Sequence, residues 1–460
     1  MSSWITLFFQ KVLPTPFTIA ILLTLLSFLL AFLFAPFEAE GLTRVFHLLR
    51  FWEAGIWNTK LLVFAYQMML ILVLGHVLAL SNLAQQLINQ LCRWANSTGA
   101  AVVLVSVSTL LITFLNWGLG LVFGSLLARA MGEKAARENI PLNYPLVGAA
   151  AYVGMMVFHG GISGSAPLKV AESGHLKGLM GASFSPALPD FIPTTLTTFS
   201  TNNLVLYGLL VLLLPLVLYL MRKATPSDVS TLPVPIKLQV EHSIPSGMER
   251  LTYSFWFSKG IALLFFTAVV VQYATALEQG SLSPNFLNLS MLGCCFLLHK
   301  NIHHFLLAVK EAVKGVGGIL IQFPLYFGIM GLLSSSGLGQ QIAAALVGFA
   351  TPATLPIITF FSAGILNLFV PSGGGQWAIH GPIIIESAQQ LGVSLPKTIM
   401  AFAYGDQITN MLQPFWALPL LAITKLKAKE LLPYSLIIMA VGGYGVFSGL
   451  NALKNKALRL

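Results

Sequence analysis

Charged residues are scarce in this chain, and their scarcity excludes an ordinary soluble domain. Lys, Arg, Asp and Glu together make up 9% of its 460 residues, whereas hydrophobic residues make up 56%. A typical soluble protein is about 25% charged. Cysteine is rare too: Cys92, Cys294 and Cys295 are the only three, and two of them are adjacent. A disulfide framework is therefore not expected. A nucleotide-binding loop of the Walker type is also missing, which gives no support to ATP-driven chemistry.

Apolar runs of about twenty residues recur along the whole chain, and each is long enough to cross a hydrocarbon core as a helix. The mean hydropathy is +0.81. The sequence therefore predicts an all-α, multi-pass protein of the cytoplasmic membrane, in contact with the lipid bilayer. Its net charge of +10 is explained by Lys and Arg in cytoplasmic loops, so no nucleic-acid partner is expected. The clearest runs are Phe17–Ala35, Leu61–Leu80, Leu204–Leu220, Ile261–Leu277 and Leu431–Gly449.

Two stretches of the first half interrupt apolar sequence with glycine. Residues 98–131 are broken at Asn116–Gly120, which predicts a re-entrant hairpin of two half-length helices. Residues 143–158 run into the segment His159–Pro167, which is too rich in glycine to continue a helix. A broken helix is predicted over about 143–170. The residues between the first two spans, 36–59, are expected to be an interfacial connection.

The second half repeats this order of elements. It predicts a hairpin over about 340–390 with its tip at Asn367–Trp377, and then a broken helix over about 396–424. A shift of 251 positions places Asn116 on Asn367, Pro145 on Pro396, Gly154 on Gly405 and His159 on Asn410.

The repeat predicts three parts of the chain: a first repeat over 1–221, a cytoplasmic connector over 222–258 and a second repeat over 259–460. An odd number of crossings between the two hairpins would invert one repeat relative to the other. Inverted repeats with broken helices are typical of secondary transporters.

The two interrupted regions hold the candidate substrate site. Helix starts in a glycine-rich tip expose N–H groups and a positive dipole end, which suit a carboxylate. The alternative is that these glycines only permit close helix packing. The candidate substrate-binding residues are Asn116, Gly118, Ser163, Gly164, Ser165, Asn367, Ser372, Gly373, Gly374, Gly375, Thr409 and Asn410.

Asp406 is a carboxylate inside an apolar span, which marks it as a functional candidate. Its partner is expected to be a coupling cation, a proton, or a Lys or Arg in a structural pair. His159 is either a hydrogen-bonded core residue or a proton carrier. With Asn116 and Asn367, these two residues form the candidate coupling-ion or proton site, and any metal there would be transported Na⁺.

Neither hairpin tip carries a basic residue, so a small monoanion fits better than a dicarboxylate or phosphate that needs an arginine clamp. An enzyme reading depends on His299, His303 and His304, which resemble one histidine box of a membrane di-iron enzyme. Such an enzyme needs several boxes, and the other six histidines are scattered. A channel-like facilitator of the same anions is a further alternative.

Three long motifs, VFHGGISGSAPL, VPSGGGQWAIHGPII and AYGDQITNMLQPFWALPLL, resemble the bacterial short-chain fatty acid transporter family. The resemblance covers nearly the whole chain. It implies uptake of acetoacetate, butyrate and similar monocarboxylates, without a cofactor, and a homodimer with a scaffold domain and an elevator-type transport domain. The broader superfamily often has Ser-Asn-Thr at its hairpin tips for Na⁺. Here the tips read Asn-Trp-Gly and Pro-Ser-Gly-Gly-Gly, so both Na⁺ and H⁺ are candidate coupling ions.

Overall fold

Helices are the regular secondary structure of the described part of the chain. The computed structural model describes residues 14–181, 186–223, 246–278 and 284–457, and no strand occurs within these ranges. In them, six helices are long and apolar enough to cross a bilayer, or up to eight spans if two bent helix pairs are counted. The prediction of an all-α, multi-pass membrane protein is confirmed.

The first half contains ten α-helices within the described residues. Short 3-10 segments, Val153–Met156 and Phe158–Gly160, separate α7 from α8. The helices are α1 (Pro16–Phe34), α2 (Gly41–Ile56), α3 (Thr59–Ala79), α4 (Asn82–Arg93), α5 (Thr98–Leu115), α6 (Trp117–Glu138), α7 (Tyr144–Tyr152), α8 (Ser165–Lys169), α9 (His175–Met180) and α10 (Thr201–Leu220).

The second half contains eleven further α-helices within the described residues. A 3-10 segment, Asn410–Leu412, separates α19 from α20. The helices are α11 (Arg250–Tyr253), α12 (Phe255–Glu278), α13 (Pro284–Leu298), α14 (Ile302–Ala312), α15 (Gly317–Ser335), α16 (Leu338–Val347), α17 (Leu355–Asn367), α18 (Gly373–Gln390), α19 (Leu395–Thr409), α20 (Pro414–Thr424) and α21 (Ala428–Ala457).

Four cationic side chains cap the carboxyl ends of helices. The last carbonyls of a helix have no partner within it and carry a partial negative charge. Arg44 donates to five carbonyls, two in the last turn of α1 and three in the residues that follow it, including Ala35 O at 2.6 Å. Lys134, Arg129 and Lys259 bind carbonyls at or just beyond the ends of α4, α20 and α13. These cations therefore hold neighbouring helices together, and they also contribute to the positive net charge of the chain.

The structure differs from the sequence-based expectations in three places. The segment expected as an interfacial connection contains a 16-residue helix, α2. The arms of the first hairpin, α5 and α6, have 18 and 22 residues and are not half-length. At about 1.5 Å per residue, α5 alone is about 27 Å long. The arms of the second hairpin are α17 and α18, so that hairpin begins at Leu355 rather than near 340. The predicted connector falls largely outside the described residues.

The break of the second broken helix lies at Asn410–Gln413, after α19 has run through Gly405 and Asp406. In the first half the regular α-helix ends earlier, at Tyr152. The two broken helices still begin alike, because α7 and α19 both carry proline at their second residue.

The 251-residue shift also relates contacts in space. Gly154 lies against α5, where an added Cβ would come within 3.0 Å of Thr109. Gly405 lies against α17, where an added Cβ would come within 2.9 Å of the Cα of Phe360. Thr109 and Phe360 are themselves 251 residues apart. Each broken helix therefore crosses the first arm of its hairpin at an equivalent glycine, which supports the repeat.

Candidate functional site

His159 and Asp406 form the centre of the site, where the two halves of the chain meet. His159 Nε2 lies 2.9 Å from Asp406 Oδ1, and both side chains are buried, with 0% and 2% of their surfaces exposed. The backbone N–H of His159 donates to Gln407 Oε1 at 2.8 Å. The sequence suggested a Lys or Arg as the structural partner of Asp406, but within the described residues its ionisable partner is the histidine of the other half.

The hydrogen bonds of His159 fix its tautomer. The backbone N–H of Ser165 donates to Nδ1 at 2.9 Å, so Nδ1 must supply a lone pair. The ring proton is then on Nε2, where it is donated to Asp406. A doubly protonated ring would lose the bond from Ser165, since both nitrogens of an imidazolium are donors. This arrangement favours the hydrogen-bonded core role for His159 over the proton-carrier role.

Asp406 has one oxygen without a partner. Its Oδ1 accepts from His159, but Oδ2 is buried and has no hydrogen-bond partner among the described residues. A buried carboxylate is costly unless it is paired and hydrogen-bonded. A neutral imidazole gives Asp406 one hydrogen bond and no opposite charge. Its Oδ2 therefore remains a buried carboxylate oxygen that no described residue satisfies.

Asn367 joins the second hairpin to the same region. Its Nδ2 lies 2.7 Å from Asp406 O, 3.0 Å from Thr409 Oγ1 and 2.9 Å from Asn410 Oδ1. Its carbonyl oxygen accepts a hydrogen bond from Gln413 Nε2. The side-chain oxygens of Asn367 and Gln413 are buried without partners. Together with Asp406 Oδ2, they provide unpartnered oxygen atoms around the end of α19.

Two further contacts tie the halves together at the breaks. Tyr152 donates its hydroxyl to Asn410 O at 2.8 Å and to Gln413 O at 3.1 Å. Asn410 Nδ2 donates to Met155 O at 3.3 Å. Carbonyls freed by the 3-10 break after α19 are thus satisfied by the first half of the chain, as irregular backbone inside a membrane requires.

The segment Gly161–Ser165 contacts both hairpins. Ser163 Oγ accepts from the N–H of Trp117 at the start of α6. Ser165 lies beside Gly373 at the start of α18, where an added Cβ would be 2.9 Å from Ser165 Oγ and 2.5 Å from His159 Cε1. Gly164 packs closely on the backbone of His159. The segment therefore links the first hairpin tip to the second through His159.

Four more of the candidate residues lie at or near the hairpin tips, where they cap a helix, pack against one or face open space. Asn116 accepts from Leu119 N through Oδ1 and caps α6. Gly118 faces Ile71 and Leu287 of α3 and α13, which is a packing position. Ser372 caps α18 by accepting from Gly375 N. An added Cβ at Gly374 would meet nothing within 4 Å, so Gly374 faces open space.

Aromatic side chains separate the first tip from the central pair. The ring of Trp117 lies 6.0 Å from that of Phe158 and 5.1 Å from that of Trp416, and Phe158 lies 3.9 Å from the ring of His159. Asn116 is therefore adjacent to an aromatic layer that covers His159. Sequence reasoning did not identify Phe158, Gln407 or Tyr152 as site residues. Gln407, next to Asp406 in an apolar span, gave the clearest signal of the three.

The histidines of the enzyme alternative have separate partners. His299 Nε2 lies 3.0 Å from Val77 O, His304 Nδ1 lies 2.7 Å from Asn301 Oδ1, and His303 stacks on Tyr253. Within the described residues no group of three or more His, Cys, Asp or Glu side chains could hold a metal.

The fold is multi-pass and helical, and buried polar groups, some of them without a described partner, lie where two broken helices meet. These features are typical of a membrane transporter. Comparison with known proteins gives the family. The family model described as "Short chain fatty acid transporter" matches residues 1–453. The chain belongs to this family, whose members are transporters and not enzymes.

Two bacterial relatives carry the words "short-chain fatty acid transporter" in their names. The relative from Escherichia coli K12 is 35% identical, over 98% of this chain and 99% of its own. The relative from Haemophilus influenzae is 34% identical, over 94% of this chain and 95% of its own.

Two solved structures are similar at lower levels. The Alcanivorax borkumensis YdaH transporter has a TM-score of 0.42 and 19% identity, covering 95% of this chain and 98% of that one. Neisseria gonorrhoeae MtrF, described as an antimetabolite efflux pump, has a TM-score of 0.37 and 14% identity. The match covers 96% of this chain and 95% of that one. Scores this low carry no argument about the site.

Proposed function

We propose that this chain imports short-chain monocarboxylates, such as butyrate and acetoacetate, by cation-coupled symport across the cytoplasmic membrane. The observation that carries the proposal is the uncompensated carboxylate of Asp406, buried at the junction of the two halves. A coupling ion, Na⁺ or H⁺, would neutralise Asp406. Asn367 Nδ2 donates to the backbone oxygen of Asp406, and Gln413 Nε2 donates to the backbone oxygen of Asn367. The side-chain oxygens of both residues have no partner among the described residues.

The substrate carboxylate is proposed to bind beside this pair, at the start of α18. Gly373 has no room for a side chain against His159, and Gly374 faces open space. A small anion can therefore approach the first N–H groups of α18, where the helix dipole is positive. No Lys or Arg lies in the tip segments 116–120 or 367–377, which fits a monoanion better than a dianion.

An elevator-type movement of a homodimer is proposed for alternating access. Both hairpins and both broken helices contact one another through the segment Gly161–Ser165 and would move as one transport domain. Helices α1, α2 and α15 form a separate tight group, in which an added Cβ at Gly331 would reach 2.7 Å from Phe51 O. This group is the proposed scaffold. Cross-linking and mass measurement of the purified protein test the dimer.

Uptake into proteoliposomes tests the function. Radiolabelled butyrate uptake is measured as initial rates under an imposed Na⁺ gradient, an imposed pH gradient, both or neither. Rates in protein-free liposomes are subtracted, because protonated butyric acid crosses a bilayer unaided. Accumulation above equilibrium under one of the gradients is expected. Saturable flux that never exceeds equilibrium would instead indicate a facilitator, and the absence of protein-dependent flux would contradict the proposal.

A further inference from the structure

A second buried polar cluster lies inside the second hairpin, away from Asp406. It consists of Thr359 and Ser362 on α17 and Gln376 and His380 on α18, each at most 2% exposed. Gln376 Nε2 donates to Ala363 O at 2.7 Å, and Ser362 Oγ donates to Thr359 O at 3.1 Å. The proposed function assigns no role to these four side chains.

Three atoms of this cluster are buried without a hydrogen-bond partner among the described residues: Thr359 Oγ1, Gln376 Oε1 and His380 Nδ1. Gln376 and His380 are four residues apart on α18, so their side chains lie on the same face of the helix. Thr359 and Ala363 have the same spacing on α17. Buried polar groups normally have partners. A hydroxyl, an amide oxygen and a ring nitrogen that all lack one indicate a site for a small polar species.

The protonation of His380 follows from its one hydrogen bond. Ser362 Oγ lies 3.3 Å from His380 Nε2, and the Ser362 proton is already donated to Thr359 O. Ser362 therefore accepts, and His380 carries its proton on Nε2. The lone pair of Nδ1 is left unused. Gln376 Oε1 and Thr359 Oγ1 are the other two buried atoms of the cluster that have no partner among the described residues.

This setting is the opposite of that of His159. Protonation of His159 at Nδ1 would break the bond from Ser165 N–H, whereas protonation of His380 at Nδ1 would break no hydrogen bond with a described residue. The ring of His380 otherwise packs against Phe402, with ring centroids 5.6 Å apart. Of these two buried histidines, His380 is the one whose Nδ1 lone pair no described residue uses.

No titratable side chain occurs on α16 or α17, which pack against α18. The titratable and charged groups on the other elements around α18, and on α18 itself, are His159 on the 3-10 segment Phe158–Gly160, Lys169 on α8, His175 and Lys177 on α9, Tyr326 on α15, Glu386 on α18, and Lys397, Tyr404 and Asp406 on α19.

We propose that His380 is a proton-binding site of the transport cycle, distinct from the cation site at Asp406. In this step a proton from water binds the lone pair of Nδ1, and the proton on Nε2 stays in its bond to Ser362. The second hairpin then carries one positive charge more in one half of the cycle than in the other. The inference rests on the proposed function and makes H⁺ a driving ion of the symport.

The test compares driven uptake with exchange in proteoliposomes without Na⁺. The unaltered protein, H380N, H380Q and the control H47N are assayed for butyrate uptake under a gradient of one pH unit and for butyrate exchange at equal pH. His47 is a half-buried histidine of α2, outside the site. Stimulation by the pH gradient is measured as the initial rate that remains after the rate in protein-free liposomes is subtracted, because butyric acid alone also distributes across a bilayer according to that gradient. We expect H380N and H380Q to lose this stimulation and keep exchange, and H47N to keep both.

Stimulation of H380N or H380Q by the pH gradient equal to that of the unaltered protein would overturn the inference. Accumulation by the unaltered protein that requires Na⁺ and ignores the pH gradient would overturn it too, while leaving the proposed function intact. If no variant moves butyrate, the proposed function fails, and nitrogen NMR of ¹⁵N-histidine protein decides the inference separately. A buried histidine signal that titrates, and that changes in S362A, supports it. The absence of such a signal contradicts it.

Discussion

Gly373 of the second hairpin lies directly on the ring of His159, so that an added Cβ would be 2.5 Å from Cε1. This contact brings the glycine-rich helix start of one half onto the buried histidine of the other. Since His159 in turn binds Asp406, a movement of the hairpin tip cannot occur without affecting the carboxylate. The contact physically connects the proposed substrate position to the proposed cation position.

Replacing Gly373 with alanine is therefore expected to be destabilising. The methyl group would force the His159 ring or the tip to shift, and overpacking of this kind costs about 1–3 kcal/mol. The neighbouring substitution G374A is the matched control, because its Cβ would point into open space. Thermal unfolding of both purified variants measures the difference. Equal melting temperatures for G373A and G374A would contradict the packing described.

Ser165 offers a test of the His159 tautomer. S165P removes the N–H that binds Nδ1 at a position where proline is tolerated, the first residue of helix α8. S165A keeps that N–H and removes only the hydroxyl. Uptake is expected to gain a new pH dependence in S165P and not in S165A, because only S165P frees Nδ1 for a proton. Identical pH profiles in the two variants would count against the tautomer.

The two crossing glycines give a stability prediction that opposes helix propensity. Alanine normally stabilises a helix relative to glycine by about 1 kcal/mol. At Gly405 the added Cβ would collide with the backbone of Phe360, which cannot rotate away. G405A should lower the melting temperature, whereas G208A, which has free space on α10, should not. A G405A protein as stable as G208A would show that α17 and α19 are not so closely packed.

Arg44, on α2, is predicted to stabilise the packing of α2 against the carboxyl end of α1. Its guanidinium donates to five carbonyls at or just beyond the end of α1, and leaving such groups unsatisfied costs about 1–3 kcal/mol each where they are buried. R44Q should lower the melting temperature by several degrees. R50Q changes an exposed arginine on the same helix and serves as the control. A similar effect of both variants would show that charge, not capping, is responsible.

The sequence predicted the class of the protein, the order of its elements and the equivalent positions Asn116 and Asn367, because glycine and proline interrupt apolar runs visibly. The repeat made His159 and Asn410 equivalent positions and named no partner for His159, which in the structure contacts Asp406 on α19. The pairing of His159 with Asp406 depends on the 3-10 geometry of the two breaks, which cannot be read from residue types. The cluster around His380 was missed for another reason. Thr359, Ser362, Gln376 and His380 come together only when α17 and α18 pack in register.

The account depends most on Asp406 as the residue that binds the coupling cation. The most direct measurement compares butyrate uptake by the unaltered protein and D406N under imposed Na⁺ and pH gradients, with exchange at equilibrium measured in parallel. Asparagine keeps the size of the side chain and removes the charge that a cation would neutralise. D406N is expected to keep butyrate exchange and to lose the response to the gradient of the cation that binds Asp406. An unchanged response to both gradients in D406N would contradict it.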